Sequence, residues 1–268
     1  MSVSSSLLVY DALELSVYQL AIMQDNYVYI LRDESADLTA VVDPGLATPV
    51  IDFLTARDWP LQFIYNTHHH SDHVGGNSQL VDQYACQVLA SSHDANRIPC
   101  ITQNVDHGAE FLFGRHLIRV IMTPGHTLGH IVYHLPQHQL LFCGDTIFGL
   151  GCGRLFEGSA EQMWKSLCRI LELPDDTLIL CAHEYTLANA RFLASLAPID
   201  GEFQVYLDEL NLKRSTLLPT VPSTLATEKR FNPFLKADDP DWARKLGLQA
   251  ADPTAVFAEV RRRKDQFR

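Results

Sequence analysis

Apolar residues fall into short runs separated by turn residues, and the period of each run indicates its element. Tyr27-Val28-Tyr29-Ile30-Leu31, Ala40-Val41-Val42 and Phe63-Ile64-Tyr65 are β-branched or aromatic runs too short for helices, the second stopping at Asp43-Pro44-Gly45. They predict strands. Between the last two, Val50, Ile51 and Leu54 recur at helical spacing behind Thr48 and Pro49, which predicts a helix over 48–57. The pattern repeats with a helix at 77–84, strands at 87–90, 117–122, 131–135 and 139–143, a helix at 160–171, a strand at 177–181 and a helix at 187–196. From about Pro174 strand signals fade, and helices are expected over 201–212, 240–245 and 254–267. Residues 217–227, with Pro219 and Pro222, read as the most linker-like segment. Strands mixed with helices, several joined as hairpins, predict an α/β or α+β sandwich in which helices cover sheets, with a soft boundary dividing 1–174 from a mainly helical 175–268.

Composition narrows the classes. The 268 residues are 47% hydrophobic and 20% charged, values of a globular chain able to bury a core without staples. A net charge of -11 works against binding nucleic acid or an anionic membrane, because phosphates are repelled. Its one basic cluster, Arg261-Arg262-Arg263-Lys264, is followed at once by Asp265. The first twenty residues lack Arg and Lys and contain Asp11 and Glu14, and no apolar run approaches a membrane span, so a cytoplasmic protein is expected. Six cysteines without a CxxC pair sit in or beside apolar stretches and read as buried free thiols.

The chemistry concentrates in Thr67-His68-His69-His70-Ser71-Asp72-His73, directly after the strand ending at Tyr65. Side chains alternate along extended chain, so His68 and His70 point to one side and His69 to the other. Two imidazoles so placed can hold one ion, while Asp72 and His73 can reach a second, a mixed nitrogen and oxygen set that suits zinc, iron or manganese. A merely polar histidine loop would not need five metal-capable side chains in six positions. His126, Asp145 and His183 each follow an apolar run within a turn, as strand-end ligands do. His69, His93, His107, His116, His130, His134 and His138 complete no ligand set and read as structural or surface groups, with His69 a possible support behind a ligand.

The HxHxDH signature followed by Gly-His-Thr, Gly-Asp-Thr and a later His resembles the metallo-β-lactamase superfamily. Within it, Gln24-Asp25-Asn26-Tyr27, Gly144-Asp145-Thr146-Ile147-Phe148, Gly151-Cys152-Gly153-Arg154, His183-Glu184-Tyr185-Thr186, Asn232-Pro233-Phe234 and Arg263-Lys264-Asp265-Gln266-Phe267 are similar to glyoxalase II, the hydroxyacylglutathione hydrolases. The resemblance implies an α+β, four-layer αββα sandwich with a C-terminal helical subdomain, and two divalent metal ions per chain, zinc first and iron or manganese next. It implies that His68, His70 and His126 bind one ion, that Asp72, His73 and His183 bind the other, and that Asp145 bridges them. Asp72 and Asp145 are then the catalytic carboxylates. Arg154, Phe156, Tyr185, Arg261 and Lys264 would hold a glutathione thioester, with Arg154 where the family often has Lys and Phe156 where it often has Tyr. Arg261 and Lys264, three apart on a helix, would clamp one carboxylate. Water shared by two ions would ionise near neutral pH and attack the thioester carbonyl, and a thiol leaving group needs no added acid. A monomer is expected. A sulfur dioxygenase with a single iron, acting on glutathione persulfide, is the competing reading, separated from the hydrolase by metal count.

Overall fold

The computed structural model describes residues 6–196, 198, 200–248 and 252–267. Two compact units emerge: one comprises the chain up to Met122 together with Gly129–Gly144, the other Thr123–Leu128 together with the chain from Asp145.

The first unit is built on a seven-stranded sheet. Ser6–Ala12, Leu15–Ile22, Asn26–Asp33 and Leu38–Val42 run antiparallel, and Phe63–Tyr65, Gln87–Ala90 and Gln103–Asn104 continue it in parallel. Asn26–Asp33 is buried along its whole length, which is why its apolar run is continuous and not alternating. Leu15–Ile22 buries mainly alternate positions. The helices Ala47–Thr55 and Asn77–Tyr84 send Val50, Phe53, Leu54 and Leu80 into a core with Ile30, Val41, Ile64 and Val88. Aromatic contacts carry packing beyond this sheet: Tyr29 meets Phe142 at 5.6 Å and Tyr65 meets Tyr133 at 5.4 Å between ring centroids. Phe142 and Tyr133 belong to an antiparallel meander of Glu110–Phe113, His116–Met122, Ile131–Leu135 and Leu140–Gly144.

The second unit is mainly helical. Ala160–Leu171 starts at a capping box in which Ser159 and Gln162 satisfy each other's backbone N–H groups, and Trp164 on it packs against Phe257 of Pro253–Gln266. The expected linker is structured: Ser223–Thr224 pairs antiparallel with Leu178–Cys181, and Leu225–Phe231 follows as a helix. Pro219 and Pro222 punctuate a connection there without making it a free tether. Cys100 is exposed and Cys168 partly so, whereas the other four cysteines are buried, and all six are free thiols.

Candidate metal centre

In the first unit the ligand loop is held from behind. Thr67 gives its hydroxyl proton to Asp43 Oδ2 at 2.6 Å and lies 3.0 Å from His68 Nδ1, so that ring nitrogen donates to the threonine oxygen. His68 therefore presents a bare Nε2, and this nitrogen lies 3.1 Å from His70 Nδ1. His73 Nδ1 donates to Asp43 Oδ2 at 3.0 Å, leaving its Nε2 3.4 Å from Asp72 Oδ2. Asn26 donates to the same Asp72 oxygen at 2.9 Å. One unit thus offers a pair of imidazoles and, beside it, an imidazole with a carboxylate. Ligand atoms of Asp43, His68 and His73 also lie within 4.8 Å of one another. Asp43 nevertheless accepts from Thr67 N, Thr67 Oγ1 and His73 Nδ1, so it orients His73 directly and His68 through Thr67.

The ring of His69 faces away, as its alternate position dictates. Its Nδ1 lies 3.3 Å from buried Asp94 and its Nε2 accepts from Arg97 at 3.2 Å. Buried His130 stacks on His68 with centroids 4.8 Å apart.

Asp145 is the centre of the second unit's contribution. Its Oδ2 lies 3.4 Å from His126 Nε2 and its Oδ1 lies 3.4 Å from His183 Nε2. One carboxylate thus has an imidazole nitrogen beside each of its oxygens. His126 Nδ1 donates to the Arg154 carbonyl at 2.8 Å, which fixes Nε2 as the bare nitrogen here too. Tyr185 stacks on His183 at 4.8 Å with ring planes 4° apart. His126, Asp145 and His183 are each at least nine-tenths buried, and neutral imidazoles with carboxylates are a donor set that divalent cations take.

His126 and Asp145 also line a cleft of about 450 Å³, together with Arg154, Phe156, Tyr185, Arg261 and Lys264. Burial, reinforced by nearby Arg261, Arg191 and Arg154, pulls the Lys264 ammonium down to about 8. Such a cluster of cations in a chain of net charge -11 marks the cleft for an anionic ligand. Arg261 departs from the expected clamp: Nε and Nη2 bond Asp265 at 3.0 and 2.7 Å, and Nη1 donates to the Cys152 carbonyl at 3.0 Å. Its fork is largely committed to its own helix and to the cleft wall. Phe156 is 63% exposed and meets His126 edge-on at 5.2 Å.

Sequence reasoning named Asp43 only within a turn closing an apolar strand, Asn26 only within the Gln24-Asp25-Asn26-Tyr27 motif and His130 only as a structural or surface group, and gave none of them a supporting role at the centre.

Residues 24–183 match the family model of the metallo-beta-lactamase superfamily, and residues 184–267 match the hydroxyacylglutathione hydrolase C-terminus. Solved structures share the fold: ETHE1 from Myxococcus xanthus has a TM-score of 0.61 at 24% identity, covering 92% of this chain and 100% of that one, and the BLEG-1 B3 metallo-beta-lactamase has a TM-score of 0.61 at 20% identity, covering 82% and 99%. The hydroxyacylglutathione hydrolase of Methylococcus capsulatus is 46% identical over 95% of this chain and 99% of its own length, and that of Rhizobium meliloti is 46% identical over 96% and 99%. The chain belongs to the hydroxyacylglutathione hydrolase family of the metallo-β-lactamase superfamily, with its α+β fold and helical C-terminal region.

Proposed function

We propose that the protein hydrolyses S-(2-hydroxyacyl)glutathione thioesters such as S-D-lactoylglutathione, releasing glutathione and D-lactate in methylglyoxal detoxification. One observation carries this reading beyond family membership: a single cleft contains His126 and Asp145 beside Arg154, Arg261 and Lys264, so a reacting carbonyl and an anionic carrier can share it. His68, His70 and His126 would hold one divalent ion, Asp72, His73 and His183 the other, and Asp145 would bridge them. Zinc suits this set, with iron or manganese next. When bound, the two ions supply a water ionised near neutral pH and positive charge for the carbonyl oxygen.

The chain's own residues do the positioning. Asn26 aims Asp72, Asp43 and Thr67 keep His73 and His68 in the ligating tautomer, and Arg154 and Lys264 attract the carboxylates of glutathione. Addition of hydroxide to the carbonyl carbon and rupture of the carbon–sulfur bond expel a thiolate, which needs no acid because thiols ionise near pH 8.5. Residues 175–268 contribute substrate contacts, and the protein works as a cytoplasmic monomer without nucleic acid or membrane partners. Among the described residues no helix is long and apolar enough to cross a membrane.

The test is thiol release from S-D-lactoylglutathione with metal analysis. Two ions per chain are expected, and Asp145→Asn should slow release by at least about a hundredfold while the protein stays folded. An active Asp145→Asn protein would remove the bridge. A single iron with oxygen consumption on glutathione persulfide would replace the hydrolase by the dioxygenase.

A further inference from the structure

Two residues after Asp145 begins a tight hairpin, Ile147–Phe148 paired with Gly151–Cys152, which ends two residues before Arg154. Its turn is Gly149-Leu150, and Leu150 has φ +58, a left-handed conformation in which a branched side chain crowds its own backbone. Such a residue persists only where its surroundings determine it. Here they do. The Leu150 N–H donates to Glu228 Oε2 at 2.8 Å, and Asn232 Nδ2 donates to that oxygen at 2.9 Å and to the Gly151 carbonyl at 2.9 Å. Ser223 Oγ donates to Glu228 Oε1 at 2.7 Å, and Asn189 Nδ2 caps the Gly149 carbonyl at 2.9 Å. Glu228 is fully buried and does not line the cleft.

We infer that Glu228 is a positioning residue for the hydrolysis proposed above: through Leu150 and Asn232 it locks the Ile147–Cys152 hairpin, and with it the cleft wall that receives glutathione. That link continues through the Cys152 carbonyl, which accepts from Arg261 Nη1 at 3.0 Å, and through Phe148 and Cys152, which line the cleft. The metal end of the hairpin has separate restraints, a 2.8 Å hydroxyl bond between Thr123 and Thr146 and the 3.3 Å bond from Gly153 N to the Thr146 carbonyl. Loosening Glu228 therefore frees the substrate end first.

Protonation supports the assignment. Burial pushes the Glu228 carboxyl up to about 7, although Ser223, Asn232 and Leu150 all donate to it. Tyr206 on Gly201–Ser215 and Cys181 are titratable groups whose charges couple to Glu228, and no ion pair to Glu228 occurs among the described residues. A carboxyl held above its ordinary value binds a proton in the fold that the unfolded chain has shed, so its burial costs stability as pH rises from 4.5 to about 7.

The experiment compares wild type, Glu228→Ala and Glu228→Gln as metal-loaded full chains. With S-D-lactoylglutathione, Glu228→Ala should raise KM by about threefold to tenfold with kcat nearly unchanged, because orphaned donors loosen the cleft wall. Glu228→Gln should restore most of the binding, since its amide oxygen can still accept from Leu150 and Asn232. Hydrogen exchange across 147–152 should quicken in Glu228→Ala whether or not the substrate is the right one. A wild type that releases no thiol would sink the hydrolase reading, and unchanged exchange in the hairpin would sink the anchor. Loss of kcat at constant KM would also overturn it. If the alanine variant does not fold, unfolding temperatures decide: wild type should fall relative to Glu228→Gln between pH 5 and 8, and parallel curves would overturn the inference.

Discussion

At the residue scale, the centre is a set of rings whose tautomers are settled before any ion is considered. His68, His73 and His126 each give their Nδ1 proton to a protein acceptor, respectively Thr67, Asp43 and the Arg154 carbonyl. Asp43 should therefore matter although it is not a ligand. Asp43→Asn is expected to weaken retention of one ion by about tenfold to a hundredfold, read by competition with a chelator of known affinity. An unchanged affinity would reduce Asp43 to a loop anchor. The candidate ligands were legible because their residue types are rare together and four of them, His68, His70, Asp72 and His73, crowd into six positions, whereas Asp43 reaches Thr67 and His73, and Asn26 reaches Asp72, from strands far back in the chain that sheet pairing brings alongside. No local pattern can announce a partner brought in by neighbouring strands. His130 illustrates the same limit: its stacking on His68 depends on a strand pair far along the chain.

At the scale of elements, the turn after Leu38–Val42 must lie flush against the short helix Ser71–Val74 that carries Asp72 and His73. A Cβ on Gly45 would sit 1.9 Å from the Asp72 carbonyl oxygen, a backbone atom that cannot swing aside. Gly45→Ala should then displace the ligand helix, lowering the unfolding temperature by at least about 4 °C, a couple of kcal/mol for a chain of this size. Calorimetry checks this, and a neutral substitution would show that the two loops are not in register as described. Element prediction itself succeeded at Asn26–Asp33, buried along its length, and at the amphipathic Ala160–Leu171, but it missed Leu15–Ile22 although that strand buries mainly alternate positions. It failed at Ser6–Ala12, an edge strand whose Leu7 and Leu8 are exposed and give no clean alternation. It failed again at Leu225–Phe231, a helix of seven residues whose reason for existing is the set of tertiary bonds made by Glu228, which the prolines nearby disguised as a linker.

Across the whole molecule, acid sensitivity should have a structural component apart from the metal ligands. Burial pushes both His134 and His138 down to about 4, with Arg119 and His116 respectively adding repulsion. The unfolded chain binds these protons near 6.5 and the fold refuses them, so stability present above 6.5 drains away as pH falls toward 4. His138→Gln should flatten this slope in denaturant unfolding compared at matched metal content, whereas an equal slope would show that the Tyr10, His138 and His116 chain of 2.9 Å bonds tolerates a proton. Periodicity narrowed the class to α/β or α+β and the family resemblance chose α+β, while the division of the chain at Met122 and Gly144 was not legible, because a contiguous sequence gives no sign that its segments will be dealt alternately to two units. The rings that commit their far nitrogen to a protein acceptor have one last effect. A cation arriving at His68, His73 and His126 would meet nitrogens whose tautomer the fold has already chosen, so that choice would be made when the chain folds and not when the ion binds.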